Sequence, residues 1–195
     1  NWQLRQRFDD AGELIGREER LGNQYQGLYL GRGWGNALKR ANYVDGKLHG
    51  PYTEDTADNS EFIHGQYQHG VKVGKWVTKT PFSTVTENFN RKGENNGAQT
   101  EVSAEGIQLL LAFYRDDKLH GDYEKRDHSG QLQAKGPYVN GLRHGNWQAQ
   151  EEFVYGSVKL WHGRYEQGVM FGFWRRGRAL RMTACGQAAV SRHVA

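Results

Sequence analysis

YVDGKLHGPY (residues 43–52) and YRDDKLHGDY (residues 114–123) share seven of ten positions, with starts 71 residues apart. The decapeptide recurs in looser form as YQHGVKVGKW from Tyr67, YVNGLRHGNW from Tyr138 and YEQGVMFGFW from Tyr165. The shared frame is Tyr-x-x-Gly-x-x-x-Gly-x-aromatic, with Asp117 replacing the first glycine in the copy from Tyr114. The starts at 43, 67, 114, 138 and 165 give steps of 24, 47, 24 and 27 residues. The step of 47 is nearly twice 24, and a reduced copy, Asn90-Arg-Lys-Gly93-Glu-Asn-Asn-Gly97, stands in the gap. A second reduced copy runs from Asp9 to Gly16. A small residue precedes each full-copy tyrosine by two: Ala41, Gly65, Ala112, Gly136 and Gly163. A repeat of this kind decides the architecture before any other feature.

Each unit reads as a hairpin. Asp-Gly and Asn-Gly suit tight turns whose residues need positive φ. A second punctuation lies halfway between turns: Ala57-Asp58-Asn59-Ser60, His128-Ser129-Gly130 and Tyr155-Gly156-Ser157. Two turns per unit give one strand per about 12 residues, and strands joined by tight turns run antiparallel. The expected fold is all-β: an elongated, twisted, up-and-down antiparallel sheet of ~24-residue hairpin repeats. Gly46, Gly70, Gly141 and Gly168 are its turn glycines. Gly50, Gly74, Gly121, Gly145 and Gly172 lie in outgoing strands, where a glycine admits a ring over the backbone or a kink. The aromatics at 52, 76, 123, 147 and 174 are expected to stack, one rung per unit. The organisation divides into a divergent N-terminal cap (1–40), the repeat array (41–174, degenerate in 78–112) and a basic C-terminal tail or cap (175–195).

Composition sets the bounds. Leu, Ile, Val and Phe together make up under a fifth of the chain, but the aromatic share of 12% argues for a folded protein with a thin core. The longest apolar run, Ile107 to Tyr114, is a strand and far short of a membrane helix. Net charge is +4, and residues 175–195 hold five arginines and no acid, which leaves the first 174 residues at −1. A basic stripe along the folded face, the mark of a nucleic-acid binder, is missing, so no nucleic-acid partner is expected. The single cysteine, Cys185, rules out an internal disulfide. The sequence opens on Asn1, consistent with removal of an upstream segment and with a bacterial periplasmic or envelope location; the alternative is cytoplasmic.

The frame with "DGKLHG" and "NGLRHG" resembles the MORN repeat over about residues 8–174. The 24-residue spacing and the Gly-x-Leu half-units (Gly130-Gln-Leu132, Gly12-Glu-Leu14) look most like the bacterial variant in the YwqK-type family named as antitoxins. Residues 17–40 and 78–112 depart from the pattern. The resemblance implies an immunity protein or antitoxin that neutralises a bacterial toxin or secreted effector, lipases among them. The eukaryotic repeats imply the alternative, a scaffold on anionic phospholipid.

The candidate chemistry is thin. His49, His120 and His144 share one repeat position, but Val73 and Phe171 occupy it elsewhere, so the position holds a half-buried filler. "GRGWG" (31–35) lacks the final glycine of a dinucleotide loop, because Asn36 stands there. The acid pairs Asp9-Asp10, Glu18-Glu19, Asp116-Asp117 and Glu151-Glu152 sit at or near turns or on polar strands. A non-enzymatic chain without cofactor or metal is expected. The better lead is aromatic. Trp34, Trp76, Trp147, Trp161, Trp174, Tyr52 and Tyr123 are candidate protein-binding anchors on a partly accessible ladder. Arg175, Arg176, Arg178 and Arg181 are the alternative contacts, to lipid or an acidic partner. The edges of an open sheet offer a third route, strand addition.

Overall fold

The computed structural model describes residues 1–33, 36–152, 158–176 and 179–181, with the backbone alone for 151–152, 158–160, 172–176 and 179–181. The fold is all-β, built of antiparallel up-and-down hairpins. Contacts divide the chain into two compact units, Asn1–Gly106 and Ile107–Ala195. Unit 1 holds β1 (Trp2–Phe8), β2 (Leu14–Leu21), β3 (Gln24–Tyr25), β4 (Gly27–Arg32) and β5 (Leu38–Val44). It continues with β6 (Lys47–Asp55), β7 (Phe62–Gln68), β8 (Val71–Lys79), β9 (Ser83–Phe89) and β10 (Gly97–Ser103). Unit 2 holds β11 (Gln108–Arg115), β12 (Lys118–Arg126), β13 (Leu132–Val139) and β14 (Leu142–Arg143). Its remaining strands are β15 (Gly145–Glu152), β16 (Val158–Glu166), β17 (Val169–Arg176) and β18 (Ala179–Arg181).

Within each unit, each strand pairs antiparallel with its sequence neighbour, except that the two-residue β3 and β14 are flanked by direct β2–β4 and β13–β15 pairing. Pairing of β4 with β5 carries the sheet across residue 40, where the repeats suggested a cap boundary. The region 78–112 supplies regular strands despite its weak repeat pattern. The backbone of β17 and β18 continues past residue 174 as a hairpin.

The hairpin turns are as the sequence requires. Five have positive φ at both central residues, the type I′ signature: Asp45-Gly46, His69-Gly70, Asp116-Asp117, Asn140-Gly141 and Gln167-Gly168. Successive turns are tied together. The N–H groups of Gly46, Gly70, Gly141 and Gly168 donate to the carbonyls of Tyr25, Leu48, Leu119 and Arg143 at 2.8–3.0 Å. His49 Nδ1 accepts from the His69 N–H and His120 Nδ1 from the Asn140 N–H, each at 3.4 Å. The repeated histidine therefore braces the next turn in two of the copies.

One expectation is narrowed and a second is corrected. Of the two readings of the glycines inside outgoing strands, a ring over the backbone or a kink, the structure shows the kink. Gly50, Gly74, Gly121 and Gly145 have φ of 95°, 66°, 113° and 69°, and the strand registers shift beside Gly50, Gly74 and Gly121. They are bulge residues, which turn the strand. The correction concerns the reduced copies at Asp9 and Asn90, which are not tyrosine-type turns. Asp9 and Asn90 each accept two backbone N–H groups with their side chains, as Asp127 does. All three open the same Asx-led loop, with glycine three residues on. Asp58 does similar work in its loop. The Ser60 N–H, the Ser60 hydroxyl and the Thr56 hydroxyl hold its carboxyl down at about 2.

Candidate functional site

Alternation along the strands gives each unit a ladder face. In unit 1, Tyr52 and Trp76 lie on it with Tyr29, Tyr43, Leu48, Ile63, Tyr67 and Phe89. Tyr67 stands edge-on between Tyr52 and Trp76, with ring centroids 5.4 and 4.9 Å away. In unit 2 the same order recurs. Tyr138 stands between Tyr123 and Trp147 at 5.4 and 4.9 Å, and Tyr165 follows Trp147 at 6.0 Å. The ladder thus uses two aromatics per 24-residue repeat, where the sequence reading expected one. Cations roof it: Lys72 Nζ lies 4.4 Å from the Trp76 ring and Arg143 Cζ 4.6 Å from the Trp147 ring.

This placement overturns the reading of Trp76 and Trp147 as surface anchors. Each is 1% exposed. Each indole covers a glycine of the neighbouring strand and donates its N–H to a backbone carbonyl, Gln66 for Trp76 and Pro137 for Trp147. Tyr52 is buried too, and its hydroxyl donates to Glu54 at 2.9 Å. Burial, then that hydrogen bond, push its pKa up. Tyr123 and Trp161 are half-buried against the unit 2 cluster. Among the described residues the buried Trp161 indole N–H has no acceptor. Trp34 and Arg178 lie outside the described residues, and Trp174, Arg175, Arg176, Arg181 and Gly172 are placed by backbone alone.

The opposite face of unit 2 carries a cavity of about 860 Å³. Two rows of side chains line it, set two residues apart along the strands and running across them. One row is Leu111, Glu124, Lys135, Gln148 and His162, each in register with the next. The other is Asp122 with Pro137, then Asn146, Arg164 and Phe171. The ladder residues Tyr123, Gly136, Trp147 and Gly163 contribute the floor between the rows. Six strands from β11 to β17 take part, about 24 Å at the usual strand spacing.

The groove is polarised. Asp122 and Glu124 mark its β12 side, and His162 and Arg164 its β16 side. Glu124 is already satisfied by Lys135 at 2.9 Å and by Arg126, whose bonds, Lys135's first, hold its carboxyl below the usual range. Arg164 reaches Glu166 at 3.2 Å, and Asp122 is exposed with no ion pair among the described residues. Phe171 is exposed at the rim, in register with Arg164. Among the described residues no three His, Cys, Asp or Glu side chains converge as a metal site. The site is an open trough with separated charges and an exposed apolar ring at its rim.

The fold defines the class: an all-β protein of tandem antiparallel hairpins. No family model matches the chain, and no curated protein matches it.

Proposed function

We propose that the chain is a non-enzymatic protein-binding module that captures and neutralises a toxic protein, a bacterial toxin or secreted effector such as a lipase. The observation that carries this reading is the polar groove of unit 2. It has the length, the separated charges and the exposed Phe171 that an interface with a protein segment needs. The resemblance of the repeat frame to YwqK-type antitoxins supports the partner class. The reading calls for no cofactor, metal or nucleic acid, and a secreted effector as partner fits the periplasm or cell envelope.

A second reading, an envelope scaffold on anionic lipid, rests on the acid-free arginine run from Arg175. Co-expression with the toxin genes neighbouring its own separates the two. The module forms a one-to-one complex with a neighbouring toxin and restores growth. Asp122→Arg with Arg164→Glu loses both effects while keeping the fold. The scaffold instead binds anionic vesicles, less so in salt, and rescues nothing.

A further inference from the structure

We propose that the pocket between His49 and Arg91, at the tight-turn end of unit 1, is a carboxylate site, which takes a singly charged acid with a short apolar body. The site is independent of the groove in unit 2.

The pocket holds about 510 Å³, within the usual range for a small-molecule site. Its walls include His49 of β6, Gln66 and Gln68 of β7, Val73 of β8 and Arg91 of the loop after β9. By the period of two, Gln66 and Gln68 stand on the side of β7 away from the ladder. Val73 is in register with Gln66. His49 precedes the bulge at Gly50, and a bulge re-aims the side chains beside it. Among the described residues no aspartate or glutamate lines the pocket.

The four polar side chains can all donate. The His69 N–H donates to His49 Nδ1 at 3.4 Å. A neutral imidazole that accepts at one nitrogen carries its proton on the other, so His49 has its Nε2–H left to give. Gln66 and Gln68 each bring an amide NH2, and Arg91 brings its guanidinium. Among the described residues the side chains of Gln66, Gln68 and Arg91 have no hydrogen-bond or ion-pair partner.

Charge and shape select the ligand. Arg91 is the one permanent charge among the described lining residues, so it balances a monoanion and leaves half of a dianion unmatched. The planar guanidinium fork fits a carboxylate with two parallel hydrogen bonds. Val73, half-buried, gives the acid's carbon chain an apolar wall. A free acid and the C-terminus of another chain share this chemistry, and the arms of the test separate them.

The test titrates the whole chain with butyrate, butyramide, N-acetylvaline and inorganic phosphate, and follows side-chain nitrogens by NMR. Butyrate shifts the Gln66 and Gln68 amide signals and the His49 Nε2 signal until they saturate. Butyramide, its uncharged counterpart, does not. Tighter binding of butyrate than of N-acetylvaline assigns the site to free acids, and the reverse order assigns it to chain termini. Arg91→Gln weakens butyrate binding about tenfold or more, and Arg91→Lys, which keeps the charge without the fork, weakens it less. His49→Val keeps the fold, since Val73 and Phe171 hold the same repeat position, and weakens binding about threefold or more. The groove variant Asp122→Arg with Arg164→Glu binds butyrate as the wild type does, so failure here and failure of the groove are separate results. Equal shifts with butyramide, tighter binding of phosphate than of butyrate, unchanged binding by Arg91→Gln, or no saturable shift would overturn the proposal.

Discussion

Trp147 lies across Gly136: a Cβ built on that glycine would fall 2.4 Å from the indole Cδ2. The same relation joins Trp76 to Gly65, at 2.1 Å. Where the covering ring is a tyrosine, the covered residue is alanine: Ala41 faces Tyr52, and Ala112 faces Tyr123. The two members of each pair are 11 residues apart in the sequence, and Gly163 and Trp174 keep that spacing. A phenol leaves room for a methyl group and an indole does not. The repeat has therefore adjusted both members together.

Gly136→Ala is expected to destabilise unit 2 by about 2 kcal/mol, through overpacking against the indole. Trp147→Tyr alone costs about 1–2 kcal/mol in lost burial. The double variant recreates the alanine–tyrosine pair and costs less than the sum of the two, with a coupling of at least ~1 kcal/mol. Urea unfolding of the four proteins measures the cycle, and strict additivity would remove the size-matching account.

One type I′ turn departs from the others. Its second central residue is Asp117, with φ of 62°, where the other four have glycine. An L-residue there bears a steric cost that glycine avoids. Asp117→Gly is expected to raise the unfolding free energy by about 0.5–1 kcal/mol, seen as a higher urea midpoint at unchanged slope.

The hairpin fold was legible because a tight turn writes itself locally. Asp45-Gly46 and Asn140-Gly141 need only their own φ angles to be read. The reduced copies at Asp9 and Asn90 misled because both loop classes put glycine three residues after their first member. What separates them is the first residue, a tyrosine on the ladder or an Asx side chain binding two N–H groups. The burial of Trp76 and Trp147 was missed for a different cause. It follows from a glycine on the neighbouring strand, and the pairing shows only once the register is known. The groove was hidden for the same reason. Asp122 and Asn146 fill the variable place before the aromatic, and Pro137 and Arg164 the one before the tyrosine. No motif marks them, because they come together only across strands.

Glu124 gives unit 2 a pH dependence. Its carboxyl titrates below the ordinary 4.5, chiefly through Lys135 and then Arg126. A group depressed in the folded state contributes stability above its unfolded value, and that contribution disappears as pH falls through the folded value. Thermal melts between about pH 5 and pH 2 should therefore fall more steeply for the wild type than for Glu124→Gln. The gap is small because the carboxylate faces solvent, and it shrinks further in salt. Parallel curves would show that the three-residue pairing adds nothing.

Arg143 tests whether the roof over the ladder acts by charge or by covering. The guanidinium lies 4.6 Å from the Trp147 ring, and Nη1 donates to the Tyr165 hydroxyl at 3.0 Å. Leu48, Lys72, Leu119 and Met170 hold the same place in their repeats. Leu48 packs on the unit 1 cluster and Met170 on that of unit 2, with no charge at all. The common property is a long stem that keeps water off the rings, which arginine and lysine supply while their heads stay wet. Arg143→Met should then stay within about 0.5 kcal/mol of the wild type, while Arg143→Ala loses about 1–2 kcal/mol by uncovering Trp147. The turn bond from the Gly168 N–H to the Arg143 carbonyl is present in both variants, so the difference between them reports the side chain alone. Equal losses for methionine and alanine would instead assign the roof to the cation, and the wild type would then lose stability with added salt.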